Sequence, residues 1–255
     1  MHCSMRQITF IFFLTLLFGC KKDNKEPVCR FTNIGIAGKK HTVTYIGDSL
    51  VTVGDDNYTG YKLFFNQQGR LLRNEEPLLY PRQRTELVYN STGHVTEIRL
   101  YSKSVNIYEY YGKIVFTYSN GKITNLKEEN LYSQVGNLYD HEVIWEGNNI
   151  KSVVNRLNGQ PYCATHFSYE GSIPNRMRRF TDFYFGAGFD NFTNNLDYNY
   201  YLLPLYFSEL MPVKQESDCF LSETRLFTYT FTNSGLLESM FYNRNILWEY
   251  EYQCR

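Results

Sequence analysis

One turn signature recurs along the chain, and it constrains the fold more than any other feature. Each copy has an aromatic residue, a polar turn that contains glycine, and then an aliphatic residue. The turn glycines are Gly69, Gly93, Gly121, Gly147, Gly171 and Gly235. The first five are 24, 28, 26 and 24 residues apart, and 64 residues separate the last two. A period of about 25 residues fits one β-hairpin with its connection, so the repeat predicts an array of hairpins.

The segments beside these turns alternate as β-strands do. Trp248, Tyr250 and Tyr252 fall on one face of an extended segment, and Glu249 and Glu251 fall on the other. The aromatic content is 17%, and tyrosine and phenylalanine favour strands. We therefore predict an all-β protein.

The chain begins with the pattern of an export signal. An apolar run over residues 8–18 is too short for a membrane helix of about 20 residues. The run ends in Leu17-Phe18-Gly19-Cys20, which gives the lipoprotein signal peptidase an aliphatic residue, a small residue and a cysteine thiol. Cleavage before Cys20 would leave that thiol carrying diacylglycerol. A transmembrane anchor, or a secretory signal cleaved elsewhere, is the alternative.

This junction resembles those of bacterial lipoproteins, particularly of the Bacteroidetes. We predict a signal peptide over residues 1–19, a lipidated Cys20 with a flexible tether over 20–28, and one β-domain over 29–255. The expected location is the outer membrane, facing either the periplasm or the outside. The chain has 26 basic and 26 acidic residues, which does not favour nucleic acid as a partner. The membrane, reached through Cys20, is the one partner that the sequence predicts directly.

Four cysteines remain in the predicted mature domain: Cys29, Cys163, Cys219 and Cys254. An even number in an oxidising compartment indicates disulfides, with three possible pairings. A bridge from Cys29 to Cys254 would tie the two ends together, but free buried thiols remain an alternative. No cysteine or histidine spacing matches a zinc site, so we predict no metal.

The repeat resembles the YD-repeat, or Rhs-like, hairpin, with asparagine in place of aspartate. Tyr89-Asn90-Ser91-Thr92-Gly93 shows the pattern. The resemblance is closer to Bacteroidetes lipoproteins of unknown function that are built from such hairpins, and it covers about residues 60–255. It implies a curved antiparallel meander of barrel-like or porin-like appearance, and it implies no activity.

The long gap between Gly171 and Gly235 contains an aromatic insertion over residues 182–211. Its second part, Tyr198 to Leu210, is compatible with a short helix interrupted at Pro204. We interpret the insertion as a plug or cap over one end of the sheet. The alternative is an aromatic ligand-binding patch.

One motif points to enzymatic chemistry. Gly47-Asp48-Ser49-Leu50 matches the name motif of the GDSL esterases, with Ser49 as the nucleophile. A serine nucleophile needs a histidine base held by an acid. The Asp-x-x-His segment that supplies these groups in the family does not occur in this chain. We therefore interpret the four residues as a turn between strands at 42–46 and 51–53.

Other candidate groups do not form a recognisable constellation. The histidines are scattered and are interpreted as structural: His41, His94, His141 and His166. The paired acids Glu75-Glu76 and Glu128-Glu129 should point apart on a strand. No phosphate-binding loop and no calcium-loop pattern is present, so we predict no cofactor and no enzyme.

The functional hypothesis is a lipid-anchored envelope module that binds a glycan or protein ligand or acts as a scaffold. Exposed tyrosine and tryptophan rings could stack on sugars, and an edge strand could dock a protein. A hydrolase that uses Ser49 and a purely structural envelope protein are the alternatives.

Overall fold

A computed structural model describes residues 29–36, 39–55, 58–76, 82–104, 107–130, 139–171, 173–175, 202–219, 223–243 and 245–254. The predicted signal peptide, Cys20 and the tether lie outside the described residues, and so do residues 182–201 of the insertion. Those predictions therefore stay predictions.

The described part of the chain contains sixteen strands, and each pairs with its neighbours to close a barrel. The strand pairings within the described residues are antiparallel, which confirms the all-β, barrel-like prediction. The strands are β1 Cys29–Ile36, β2 Lys39–Ile46, β3 Leu50–Asp55, β4 Tyr58–Phe65, β5 Leu71–Glu76, β6 Arg82–Tyr89, β7 Val95–Ser104, β8 Ile107–Ser119, β9 Lys122–Asn130, β10 Tyr139–Glu146, β11 Asn149–Leu157, β12 Gln160–Ser168, β13 Lys214–Ser217, β14 Glu223–Phe231, β15 Leu237–Tyr242 and β16 Asn245–Cys254. One helix, α1 Leu202–Phe207, is described between β12 and β13.

The chain divides into two units of very different size. The main unit is Phe31–Glu251, and the small unit holds the terminal residues, of which Cys29, Arg30 and Tyr252–Cys254 are described. A disulfide from Cys29 to Cys254 lies within the small unit.

Strands β7–β9 alternate between buried apolar and outward charged side chains. On β7, Ile98 is fully buried, while Glu97 and Arg99 on the other face form an ion pair with 2.6 Å between Arg99 Nε and Glu97 Oε1. Lys113 on β8 lies between Glu97 and Glu129. The barrel interior is therefore mainly apolar behind β7–β9, although polar side chains are buried elsewhere in the barrel, and the outer face of β7–β9 is ionic. A barrel that crosses a lipid bilayer has the reverse pattern, with an apolar band outside.

Among the described residues, no helix is long and apolar enough to cross a membrane.

In an antiparallel barrel, every second connection between consecutive strands lies at the same end of the barrel. The end that we call the turn end carries the hairpins β2–β3, β4–β5, β6–β7, β8–β9, β10–β11 and β14–β15, together with the segment from β12 to β13. The predicted repeat turns thus lie together at one end of the barrel. The opposite end carries the remaining connections.

The repeat turns have the backbone that the sequence predicts. Gly69, Gly93 and Gly235 have φ values of 75°, 87° and 75°, in the left-handed region where a Cβ is disfavoured. The Asn90 side-chain oxygen accepts bonds from the backbone N–H groups of Thr92 and His94. Asparagine suits this turn because the turn uses only its side-chain oxygen.

A β-bulge follows five of the six repeat turns, and the sequence did not reveal it. Tyr89 pairs with Val95, but the preceding residue, Val88, pairs with Glu97, so Thr96 is the extra residue. The same shift occurs at four other repeat turns, where the aromatic residue pairs with the aliphatic one: Phe65 with Leu71, Tyr118 with Ile123, Trp145 with Ile150 and Phe231 with Leu237. Bulges increase local twist and redirect side chains, which gives the aromatic its position.

The structure contains a second disulfide, between Cys163 on β12 and Cys219 just beyond β13. Both cysteines are buried. Of the three pairings that the sequence allows, the structure has the one that joins the first cysteine to the last.

Candidate functional site

In four of the six repeats, the aromatic residue reaches back to the preceding repeat. The Tyr89 hydroxyl donates to the Leu71 carbonyl at 2.7 Å, and the Tyr118 hydroxyl donates to the Val95 carbonyl at 2.9 Å. The next two repeats do the same, with Trp145 Nε1 on the Ile123 carbonyl and the Tyr169 hydroxyl on the Ile150 carbonyl, each at 2.7 Å. We call these four bonds the turn ladder. It explains why the period holds an aromatic residue with a polar tip.

The residue before each aliphatic position packs on the aromatic ring of the next repeat. The His94 ring stacks on the Tyr118 ring with centroids 4.9 Å apart and planes 14° apart. Lys122 Nζ lies 5.2 Å from the centroid of the Trp145 ring. These ladder rings are partly covered by the protein itself, so their first role is to hold the turn end together.

Burial raises the pKa of two of the ladder tyrosines, Tyr118 and Tyr169. The pKa of Tyr118 lies well above its usual value because the hydroxyl is withdrawn from water. Burial raises the pKa of Tyr169 to about 12, although its hydrogen bond with Ser208 acts in the opposite direction. Both hydroxyls therefore remain protonated donors at neutral pH.

The described part of the insertion covers the turn end. Leu203, Leu205 and Tyr206 of α1 are buried, as is Met211 beyond it. The Ser208 hydroxyl accepts a bond from the Ile150 N–H at 2.9 Å, which ties the segment to β11. Residues 202–211 therefore act as the cap that the sequence suggested.

Asn175 holds α1 from the other side. Its side-chain Nδ2 lies within 3.1 Å of the carbonyls of Pro204, Leu205 and Ser208. The sequence prediction that Pro204 interrupts the helix was wrong, because Leu202–Phe207 is helical across it. Pro204 falls in the first turn, where a backbone N–H has no intrahelical acceptor and its loss carries no penalty.

A cleft of about 300 Å³ opens between the ladder and the cap. We call it the turn-end cleft, and it is lined by His94, Tyr118, Asn120, Gly121, Lys122, Ile123, Trp145, Asn148, Phe207 and Glu209. Its volume is at the small end of the range of small-molecule sites. The sequence missed the cleft because it exists only where the insertion meets the hairpin turns.

The cleft brings aromatic rings together with charged side chains. Phe207 adds a third ring beside Tyr118 and Trp145, and Lys122 and Glu209 place opposite charges at the lining. Lys122 Nζ is already bonded to the Gly147 carbonyl at 2.5 Å. The described lining includes no serine, threonine or cysteine that could act as a nucleophile. Such a surface suits a ligand with a flat apolar face and hydroxyl groups.

A second polar cluster lies inside the barrel, near the opposite end. His141 is only 1% exposed, and its ring nitrogens lie 3.0 Å from Asn155 Oδ1 and 3.2 Å from Glu128 Oε1. Asn155 Nδ2 donates to the sulfurs of both Cys163 and Cys219 at 3.1 Å. We call this the buried polar chain. The imidazole thus has a polar partner at each of its two ring nitrogens.

The buried polar chain gives partners to residues that the sequence analysis considered singly. His141 was interpreted as a scattered structural histidine, and strand register brings it next to Glu128 and Asn155. The adjacent acids Glu128 and Glu129 do point apart, since Glu129 pairs with Lys113 on the outer face. The two residues thus serve the interior and the surface respectively.

Ser49 lies in an exposed turn between β2 and β3, as the sequence analysis proposed. Its carbonyl accepts a backbone bond from Phe65 at 2.8 Å. A serine hydrolase needs a histidine at hydrogen-bonding distance from the hydroxyl. No contact of this kind occurs within the described residues, so the geometry gives no support to the esterase reading.

Loss of one ladder bond should measurably destabilise the protein. Tyr118→Phe removes the hydroxyl and leaves the Val95 carbonyl without that donor, which should lower the free energy of unfolding by about 1 kcal/mol. The expected fall in Tm is about 2–4 °C by differential scanning calorimetry. Tyr110→Phe, on the outer face of β8, is the matched control and should change Tm by less than about 1 °C. Equal shifts in the two variants would contradict a structural role for the ladder.

The chain is similar to two solved structures of porin-like proteins. One, from Bacteroides uniformis ATCC 8492, is 12% identical, with 88% of this chain and 98% of that chain covered and a TM-score of 0.40. The other, from Bacteroides vulgatus ATCC 8482, is also 12% identical over the same shares, with a TM-score of 0.36. No protein-family model and no curated protein matches the chain.

Proposed function

We propose that this chain is a lipid-anchored protein of the cell envelope that binds a short saccharide in the turn-end cleft. The observation that carries the proposal is the cleft itself, where Tyr118, Trp145 and Phe207 meet Lys122 and Glu209. The predicted lipidation of Cys20 supplies the compartment. The ionic outer face of β7–β9 supports a barrel that hangs in water from its anchor.

The size of the cleft favours a small ligand over a protein surface. A stable protein interface buries about 800 Å² on each partner, far more than a cleft of this volume offers. Sugar rings present an apolar face for stacking and hydroxyls for hydrogen bonds. Asn120, Asn148 and Glu209 lie beside the aromatic rings and could bind those hydroxyls.

Tryptophan fluorescence gives a direct test, because the chain has only two tryptophans. Trp145 lines the cleft, whereas Trp248 lies on β16 and is 7% exposed. Titration of the full chain with cellobiose, maltose, xylobiose and mannobiose should change the emission of Trp145 for at least one sugar. Trp145→Phe should abolish that change, and Trp248→Phe should retain it.

The alternative, a purely structural envelope protein, predicts the opposite result. If no disaccharide changes the emission at millimolar concentration and calorimetry detects no heat of binding, the proposed function is wrong. A change that survives in Trp145→Phe would place the ligand elsewhere and would also reject the cleft as the site.

A further inference from the structure

A second β-bulge, at the end of the barrel opposite the turn end, redirects a group of tyrosines. Leu100 on β7 pairs with Gly112 on β8, but Tyr101 pairs with Tyr110, so Tyr111 is the extra residue. On the turn-end side of the bulge, even-numbered residues of β8 such as Ile114 are buried. Beyond the bulge, the even-numbered residues of β8 face outward instead, because one inserted residue turns the side chains on that side of it to the other face.

The reversal places aromatic rings on the ionic outer face. The Tyr101 hydroxyl donates to Glu86 at 3.1 Å, and the other oxygen of Glu86 lies 3.6 Å from Arg84. Tyr108 pairs with Lys103 and Tyr110 with Tyr101, on that same face. We call Tyr101, Tyr108 and Tyr110 the tyrosine platform.

The platform is held in place by its neighbours. The Tyr101 and Tyr110 rings meet edge to face with centroids 5.7 Å apart. The guanidinium carbon of Arg84 lies 4.1 Å from the centroid of the Tyr108 ring, and Lys103 Nζ lies 5.3 Å from it. The rings are therefore pre-positioned, which reduces the entropy that a ligand must overcome.

The platform is partly open to solvent. Tyr110 is 36% exposed, whereas Tyr101 and Tyr108 are half-buried. Ile107, at the start of β8, is 69% exposed and adds apolar surface beside them. The two sites are distinct, because the turn-end cleft lies at the other end of the barrel.

We propose that the tyrosine platform is a second binding site, which takes a neutral polysaccharide chain along the outer face of β7 and β8. The proposal goes beyond a short saccharide in the cleft, since an open sheet surface accommodates a polymer that a cleft of about 300 Å³ cannot enclose.

The charges around the platform favour a neutral sugar polymer over a protein. Arg84 is already paired with Glu75 at 2.9 Å, and Lys113 with Glu129 at 3.4 Å. A protein partner would have to bury these pairs, and charged residues are depleted from the centres of interfaces because their desolvation is costly. A sugar chain stacked on the rings leaves them in water. Because Arg84 and Lys113 are engaged in these pairs, neither charge is left to attract an anionic polymer.

Affinity gel electrophoresis of the full chain tests the proposal. Native gels that contain soluble starch, hydroxyethylcellulose, xylan or galactomannan should retard the wild-type chain in at least one case. Tyr110→Ala should weaken the apparent affinity about tenfold, and Tyr110→Phe should stay within about twofold of wild type because the ring is kept. Tyr162→Ala is the matched control, since Tyr162 on β12 is 40% exposed and lies outside the platform. Its retardation should equal that of wild type.

The same gels separate this proposal from the cleft. Phe207→Ala alters the cleft and should leave polymer retardation unchanged. Three outcomes would overturn the proposal: no retardation of the wild-type chain in any gel, equal loss in Tyr110→Ala and Tyr162→Ala, or loss in Phe207→Ala alone. Concentration-dependent dimerisation that Tyr110→Ala abolishes would also overturn it and would assign the platform to a second copy of the chain.

Discussion

A chain with alanine at both Cys163 and Cys219 should unfold about 10 °C below the native chain. The disulfide joins residues 56 positions apart, and closing a loop of that length removes about 4 kcal/mol of conformational entropy from the unfolded state. For a chain of this size, each kcal/mol corresponds to about 2–4 °C of Tm. Calorimetry of the full chain without reducing agent measures the shift.

The position of the disulfide should add to this loss. It anchors β13, a strand of only four residues, to β12. Removal of both sulfurs also deprives the fully buried Asn155 amide of its two acceptors. A buried donor left without a partner costs about 1–3 kcal/mol.

The native chain in reducing agent provides the comparison. Reduction opens the Cys29–Cys254 bridge as well, so the Tm should fall at least as far as in the double alanine variant. A double variant that unfolds within about 2 °C of the native chain would show that the Cys163–Cys219 bridge contributes little to stability.

The barrel could be predicted from the sequence because its determinants are local. Gly93 and Asn90 fix a turn through their own backbone and side chain, and the flanking residues alternate within a few positions. The prediction that the helix is interrupted at Pro204 was wrong because its determinant is not local. The tolerance of proline depends on which turn of the helix it occupies, and packing of the cap decides that.

The sites could not be predicted because register and packing create them. The bond from Tyr118 to Val95 spans 23 residues, and the sequence of neither segment identifies the other as its partner. The turn-end cleft exists only because the fold brings Phe207 and the β8–β9 hairpin to the same lining. The tyrosine platform depends on one inserted residue, Tyr111, whose effect on parity appears only when β7 and β8 are paired.

The alternation of residues along β10 could have predicted that His141 is buried. It stands two residues before Val143, and both are buried on the same face of β10. A histidine on the apolar face of a strand requires polar partners inside the barrel. Which partners these are follows from the register, which sets His141 opposite Asn155 and Leu126.

Replacement of His141 should be among the most destabilising changes in the barrel. His141→Leu leaves Asn155 Oδ1 buried without its donor and removes a hydrogen-bond partner of Glu128. A buried polar group left without a partner costs about 1–3 kcal/mol, and since Asn155 is fully buried we expect about 3 kcal/mol. Denaturant unfolding should show this as a lower midpoint with an unchanged slope. His166→Leu, on the exposed face of β12, is the matched control and should change stability by less than about 0.5 kcal/mol.

A double-mutant cycle decides whether these residues act as one chain. Asn155→Leu alone should cost about 3 kcal/mol, because it leaves the His141 Nδ1 donor buried without an acceptor. In the double variant His141→Leu/Asn155→Leu, neither polar group is left buried without the other as its partner. The loss in free energy of unfolding should therefore be smaller than the sum of the two single losses by about 1–3 kcal/mol. Additive losses would mean that His141 and Asn155 contribute independently, and the contact of 3.0 Å between them would then have no energetic role.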